Sequence, residues 1–205
     1  MKQTKFLVVA ALLVGALAAT SSASAAKFTS TAGKQVLTTS IVTQPVFTVT
    51  GSQVKCNKTI LAGETTGTEA TEQAVTPSSE ECTAFGLPAT VTNFGCTITF
   101  KAATNANGHA EAVLGGTKCE GFTVLAKSIF GECHLDLTPQ VFNGVHYVNN
   151  ASPEDIKVQS TVTGLSVHVT KSTGVCPLTV GTHTNATYTS EVTVQTAGGI
   201  QYDEL

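Results

Sequence analysis

Arginine and tryptophan are absent from this 205-residue chain, and charged residues make up only 12 % of it. All 11 residues that are cationic at neutral pH are therefore lysines, although arginine supplies most bidentate contacts to phosphate and guanine. The formal net charge is −3 at pH 7, so no excess of positive charge is available to attract a polyanion. These features argue against nucleic acid and against an anionic membrane as partners.

Long apolar runs are also missing beyond the first 25 residues, so we expect no transmembrane segment in the mature chain. The first 25 residues contain Lys2 and Lys5, an apolar stretch at 6–19, and small residues at 23–25. A basic start, a short apolar stretch and small residues before the cut are typical of a secretory signal peptide. We therefore expect cleavage near Ala25–Ala26 and a secreted, extracellular mature protein.

Six cysteines follow this segment. An even number of cysteines in an exported chain indicates disulfides, because they persist in oxidising compartments. Six cysteines allow 15 pairings, and we predict the sequential one. It would pin an acidic loop, close a hairpin and join two late strands. The predicted bridges are Cys56–Cys82, Cys96–Cys119 and Cys133–Cys176.

No sustained helical period occurs in the mature chain. Instead, short Thr-rich and β-branched runs alternate with turn residues, a composition that favours strands. Their spacing of roughly ten residues is typical of sandwiches and barrels. The sequence therefore predicts an all-β, antiparallel β-sandwich, immunoglobulin-like or as a partly open barrel, stapled by disulfides. The predicted strands are 46–50, 54–60, 89–92, 97–102, 110–114, 122–126, 133–137, 145–148, 155–163, 165–170 and 187–196.

Two stretches lack this alternation. Residues 26–45, rich in Thr, Ser and Ala, are expected to form a loose N-terminal arm. Residues 63–81, which carry five glutamates, are expected to form a solvated surface loop. The secreted domain is then expected over 46–205, either as a single β domain or as two small β subdomains.

Three glycines carry local predictions. Asn107-Gly108 and Asn143-Gly144 predict tight turns, because an Asn-Gly pair tolerates positive φ. Later in the chain the apolar positions are even-numbered up to Val162 and odd-numbered from Leu165. Since successive strand residues face opposite sides, this change of phase predicts a bulge or bend at Gly164.

Catalytic and metal-binding motifs are not found. The sequence contains neither a Gly-x-Ser-x-Gly elbow nor a Cys-x-x-Cys pair, so we expect no enzymatic activity, no cofactor and no metal. Histidines and a carboxylate on predicted strands form the one candidate polar cluster, since such groups support acid–base chemistry. Its members are His134, Asp136, His146 and His168.

The segments around the cysteines form a characteristic set: VKC (54–56), CTAFG (82–86), GCTITF (95–100), CHLDLTPQ (133–140) and VHYVN (145–149). They resemble a group of secreted, Thr-rich, six-cysteine proteins that soil actinobacteria encode in many copies. The resemblance covers most of the mature chain. It implies bacterial secretion and a shared β fold, and it implies no site residues because the group has no established activity.

The sequence thus predicts a non-enzymatic β domain with a binding or structural role at or outside the cell envelope. Its partner is expected to be a protein or polysaccharide of that compartment. A secreted hydrolase with a non-standard site is the alternative, and it requires His134 or His146 to meet distant polar residues in one cleft. Recurring Thr-x-Thr pairs add a minor alternative, ice or glycan binding through a Thr-rich face.

Overall fold

A computed structural model describes residues 25–150 and 155–204. Almost all of the predicted signal peptide, 1–25, lies outside these residues. Strands account for 74 % of the described residues and helices for none, so the predicted all-β, antiparallel class is confirmed. No helix long and apolar enough to cross a membrane is found in these ranges.

Fourteen strands are present in the described ranges. Their bounds are β1 (Lys27–Ser30), β2 (Val36–Val49), β3 (Ser52–Glu64), β4 (Glu69–Ala70), β5 (Glu72–Ala84), β6 (Leu87–Phe94), β7 (Thr97–Thr104), β8 (Ala110–Gly115), β9 (Gly121–Ser128), β10 (Gly131–Leu137), β11 (Gln140–Asn149), β12 (Asp155–Ser172), β13 (Gly181–Gln195) and β14 (Ile200–Asp203).

The strands close into an eight-stranded antiparallel barrel. Five positions in the ring are single strands, namely β2, β3, β5, β12 and β13. Each of the other three consists of two strands placed end to end: β6 with β7, β9 with β8, and β10 with β11. Neighbours in the ring are neighbours in the chain, and β13 pairs with β2 to complete it. This is the up-and-down arrangement, which leaves no free sheet edge.

The closed ring departs from the immunoglobulin-like sandwich or partly open barrel expected from the sequence, and the structure confirms neither. Both architectures use the same alternating strands, so strand spacing does not distinguish them. The deciding contact is the pairing of β2 with β13. Most of β2 falls in the stretch expected to be a loose arm, so the sequence predicts only the last part of the closing strand, 46–49.

Two segments expected to lack strands are corrected by the structure. Residues 26–45 contain β1 and most of β2, and residues 63–81 contain β4 and much of β5. Buried Val75 and Pro77 alternate with exposed neighbours in β5, so the strand period was present. Its Glu, Ser and Pro residues have low β-propensity and concealed that period. The barrel therefore starts at Val36, earlier than the predicted domain boundary.

Two of the three glycine predictions are confirmed. Gly164 has φ +72°, and the register between β12 and β13 shifts between Val162 and Leu165, which are both buried. The bulge thus keeps apolar side chains inside on both sides of Gly164. The turn at Asn107-Gly108 joins β7 to β8, with the Gly108 amide donating to the Asn105 carbonyl at 2.9 Å.

The predicted turn at Asn143-Gly144 is wrong. Both residues lie inside β11, where the register against β8 shifts between Asn143 and Val145. Gly144 has φ +105°, and a Cβ there would lie 2.3 Å from the Thr161 carbonyl oxygen. The glycine therefore permits a bulge and a close approach of two strands, not a chain reversal.

Three disulfides join Cys56 to Cys82, Cys96 to Cys119 and Cys133 to Cys176, the same pairs that the sequence predicts. The first links directly opposed residues of β3 and β5. The third ties β10 to the loop between β12 and β13. Each bridge thus restrains a different part of the ring.

Both ends of the barrel are covered. A small sheet of β14, β1 and β4 packs on one end, where the Phe28 ring lies 5.1 Å from that of Tyr147 and 6.0 Å from that of Tyr202. At the other end the loop after β12 places Leu178 in the core, only 3 % exposed. The covered ends leave the interior shielded from water.

Candidate functional site

The barrel interior is not completely filled. A cavity of about 160 Å³ lies at mid-height, and side chains from all eight positions of the ring line it. Barrels of this size either fill their interior with side chains or hold one small ligand. Representative lining residues are Phe47, Val91, Ala112, Leu135, Val167 and Val192.

The cavity lining is apolar with a few hydroxyl groups. Among the described residues that line it, none is charged; the polar ones are Thr59, Ser79, Ser160, Tyr188 and Ser190. Burial raises the pKa of the Tyr188 phenol, so this group stays neutral and can donate a hydrogen bond. Such a surface fits a neutral, mainly apolar molecule that carries at most a small polar group.

The volume limits the ligand to a small molecule. A cavity of about 150 Å³ lined by Leu, Ile and Phe stays dry and binds benzene or xenon in another protein. The present cavity, about 160 Å³, is of the same size. A single aromatic ring or a short alkyl chain would fill it, whereas a polymer could not enter.

The barrel wall is incomplete beside this cavity. Strands β2 and β3 pair at both ends but not over 38–45 of β2 and 56–62 of β3. Pro45, which lacks an amide hydrogen and lines the cavity, lies where the pairing stops. Exposed Val42 and Ile60 are on the unpaired segments. The barrel thus has a local, apolar-rimmed split in its side.

Side chains bridge the split where backbone pairing fails. The Gln44 side-chain amide donates to Asn57 Oδ1 at 2.7 Å, and the Leu61 amide donates to Thr39 Oγ1 at 3.1 Å. Isolated side-chain hydrogen bonds at the surface break more readily than a continuous row of backbone hydrogen bonds between paired strands, because water competes for each donor and acceptor. The split is therefore the weakest part of the wall next to the cavity.

The predicted polar cluster does not assemble as one site. Asp136 and His168 are directly opposed on β10 and β12, and His134 is two residues from Asp136 on the same strand. His146 lies ten residues beyond Asp136 on β11, beside His109 at a ring distance of 6.5 Å. Three members are therefore neighbours on the outer wall, and His146 belongs to another part of the surface.

The histidines near β10 take part in surface hydrogen bonds. His168 Nδ1 lies 3.1 Å from Thr182 Oγ1, and His134 Nε2 lies 3.3 Å from Glu132 Oε2. Glu132 also pairs with Lys171. The hydrogen bond from Lys171, followed by that from His134, lowers the pKa of Glu132. This group therefore links β10 to β12 electrostatically.

No group of three or more His, Cys, Asp and Glu side chains in the described ranges could hold a metal ion. Comparison with protein-family models, curated proteins and solved structures finds no match for this chain. The function therefore has to be argued from the geometry of the chain itself.

Sequence reasoning missed the cavity because every lining residue is an ordinary inward strand residue. A partial signal was present: Ser79, Ser160 and Ser190 are small and polar at inward positions where larger apolar residues would fill the core. These serines lie on three different strands. Only the register of the ring shows that the three serines face the same cavity.

Proposed function

We propose that this is a secreted, non-enzymatic binding protein, acting at or outside the cell envelope, whose barrel cavity holds a small, mainly apolar molecule. The observation that carries the proposal is the uncharged cavity of about 160 Å³ inside a closed barrel. The three disulfides support an oxidising compartment. The protein or polysaccharide expected from the sequence is too large for this volume, so the proposed cavity ligand is a different kind of partner.

The energetics favour an occupied cavity. Protein interiors are close-packed and leave few voids larger than a water molecule. At about 24 cal/mol per Å³, leaving about 160 Å³ empty forfeits about 4 kcal/mol of packing energy. An apolar molecule that fills the space recovers part of this energy and is itself removed from water.

The split between β2 and β3 provides the entry route in this proposal. Opening it requires the Gln44–Asn57 bond and the bond from the Leu61 amide to Thr39 Oγ1 to break, while the unpaired segment has no backbone ladder bonds between β2 and β3 to lose. Val42 and Ile60 give the rim an apolar character. A small apolar molecule therefore meets compatible surface before it reaches the interior.

The hydrolase alternative requires His134 or His146 to lie in a cleft with distant polar residues. Neither histidine lines the cavity: His134 contacts Glu132 and His146 lies beside His109 on the outer wall, so no observation favours this alternative. The Thr-rich face has some support. Thr161 opposes Thr189 across β12 and β13, and Thr187 opposes Thr48 across β13 and β2. Ice or glycan binding by this face stays a minor prediction, tested by whether Thr189→Ala alters either activity.

Benzene is the simplest probe of the cavity, with thermal unfolding of the disulfide-bonded protein as the readout. A ligand that binds only the folded state stabilises it by about 2.7 kcal/mol at a hundredfold excess over Kd. For a domain of this size that predicts a rise in Tm of about 5–10 °C. Ala112→Leu, which fills the cavity from β8, should abolish the rise.

Ala103→Leu is the matched control, because Ala103 is exposed on the neighbouring strand β7. This variant should respond to benzene as the wild type does. The proposal is wrong if benzene leaves the wild-type Tm unchanged, or if Ala112→Leu responds as strongly as the wild type. If the benzene results support the proposal, organic extraction of protein purified from culture medium, followed by mass spectrometry, would identify the natural ligand.

A further inference from the structure

Exposed apolar side chains are concentrated at one end of the barrel. The hairpin between β9 and β10 carries Ile129 and Phe130 at its tip, 92 % and 72 % exposed. The adjacent loop between β12 and β13 adds Val175 and Val180, 38 % and 61 % exposed. We call these four residues the apolar tip. Exposed apolar side chains that cluster on a protein surface are typical of an interaction site.

The apolar tip is held in place by its surroundings. The Glu132 amide donates to Thr173 Oγ1 at 3.0 Å, and the Thr173 amide donates to the Glu132 carbonyl at 3.0 Å. The Cys133–Cys176 disulfide joins the same two segments. The hairpin and the loop therefore present their apolar side chains as one unit, so little conformational entropy is lost when they bind.

Turn geometry does not account for the residues at the tip. A two-residue hairpin turn favours Asn-Gly, Asp-Gly or Gly-containing pairs, and β-branched residues are poor turn formers. Here Ile129 and Phe130 occupy the turn, while Ser128 Oγ accepts the Phe130 amide at 3.1 Å. Gly, Asn or Asp would fit this turn better than Ile and Phe. We therefore assign these two side chains a role in a surface contact.

Lysines lie just behind the apolar tip. Lys127 and Lys171 are exposed near the ends of β9 and β12, and one acid, Glu132, lies between them, opposite Lys127 and paired with Lys171. Lys127 is two residues from Ile129, roughly 7 Å along an antiparallel strand. The far end of the barrel carries more acids. Glu64 and Glu69 pair there with Lys34 and Lys27, and Glu72, Asp155 and Asp203 lie at the same end.

We propose that the apolar tip docks on an anionic lipid surface. The net charge of the whole chain argues against such a partner, but the acids are concentrated at the other end of the barrel. Interfacial segments bury their apolar face about 5–10 Å into the headgroup boundary, which matches the spacing between Ile129 and Lys127. The tip would enter the acyl boundary while Lys127 contacts lipid phosphates, and Lys171 stays paired with Glu132. The acidic far end would point away from the membrane. Because the cavity is not part of this argument, the proposal is independent of the ligand proposed above.

Vesicle co-sedimentation of the mature, disulfide-bonded protein tests this docking. The wild type should bind phosphatidylcholine vesicles that contain phosphatidylglycerol, and binding should weaken with salt. Ile129→Ser with Phe130→Ser should reduce affinity by about tenfold for each side chain. Lys127→Gln should reduce it by about fivefold on anionic vesicles only. Val36→Ser, at an apolar residue 63 % exposed on the far end, should have no effect.

Four results would overturn the proposal. The first is an absence of wild-type binding to the anionic vesicles. The second is equal binding by the double variant and the wild type. The third is equal wild-type binding to anionic vesicles and to vesicles of phosphatidylcholine alone, which would leave no role for Lys127. The fourth is a wild-type dimer that the double variant dissociates in sedimentation velocity, which would assign the apolar tip to a second copy of the chain.

Discussion

Two glycines with positive φ on neighbouring strands differ in the space around them. A Cβ at Gly144 would lie 2.3 Å from the Thr161 carbonyl oxygen, whereas nothing lies within 4 Å of one at Gly164. Gly164→Ala should therefore cost only the left-handed strain, about 1–2 kcal/mol. Gly144→Ala should cost about 3 kcal/mol or more, because the backbone of β12 must also move.

Guanidinium chloride unfolding with the disulfides intact measures both values. Equal losses of unfolding free energy for the two variants would show that the close approach of β11 and β12 is not rigid. A larger loss of unfolding free energy for Gly164→Ala than for Gly144→Ala would contradict the bulge geometry.

Glu132 provides a pH-dependent contribution to stability. Its pKa is lowered below the ordinary value of 4.5 by the hydrogen bond from Lys171 and then by that from His134. A group with a lowered folded pKa stabilises the fold fully above its unfolded pKa, and this contribution is lost as the pH falls through the folded value. Stability should therefore decline in acid below about pH 4.5, partly through Glu132.

Glu132→Gln isolates this contribution. The difference in unfolding free energy between wild type and variant should be largest at neutral pH and should shrink as the pH falls below 4.5. Urea unfolding at several pH values measures it. A difference that stays constant from neutral pH to acid would show that Glu132 acts through packing and not through its charge.

At the residue scale, the alternation of apolar and polar residues predicted which side chains of a strand point into the core. It placed Cys133 and Leu135 inside and located the bulge at Gly164, because a strand has a fixed period of two. It did not reveal which strands are neighbours. For that reason Asp136 and His168 could be grouped, but His146 could not be excluded from the group before the register was known.

At the scale of single strands, the split between β2 and β3 predicts a pattern of hydrogen exchange. Amides alternate in direction along a strand, so about every second amide over 38–45 points to β13 and the others point to the split. Those facing the split should exchange faster than the amides of β3 bonded to β5. Residue-resolved exchange measured by NMR tests this, and uniform protection along β2 would contradict the split.

Strand prediction succeeded where β-branched composition and a two-residue alternation coincide and failed where either is missing. Strands β12 and β13 were recognised because they are rich in Val and Thr. β5 was missed because Glu and Ser occupy its outward positions, although Gln73, Val75 and Pro77 are buried at every second residue. Propensity and burial pattern conflict in β5, and burial prevails. The first part of β2 was missed for the opposite reason: its Val, Ile and Thr residues favour a strand, but only Leu37 and Pro45 are buried over 36–45, so no alternation of apolar and polar residues is visible in the sequence.

At the scale of the whole molecule, ring closure creates both proposed sites. Joining β2 to β13 encloses the cavity, and the same meander brings the β9–β10 hairpin beside the loop after β12. Composition and cysteine count anticipated an antiparallel β protein with sequential bridges. They could not anticipate closure, because the closing pair joins segments far apart in the chain, and the cavity depends on the register of all eight positions.

A crystal structure of the disulfide-bonded protein exposed to benzene would show whether the cavity accepts a small apolar molecule. The proposal predicts one benzene ring inside the barrel, in contact with Ala112, Leu135 and Val167, and no such ring in Ala112→Leu crystals. An interior that contains ordered water, or that stays without benzene while benzene binds only outside the barrel, would contradict it.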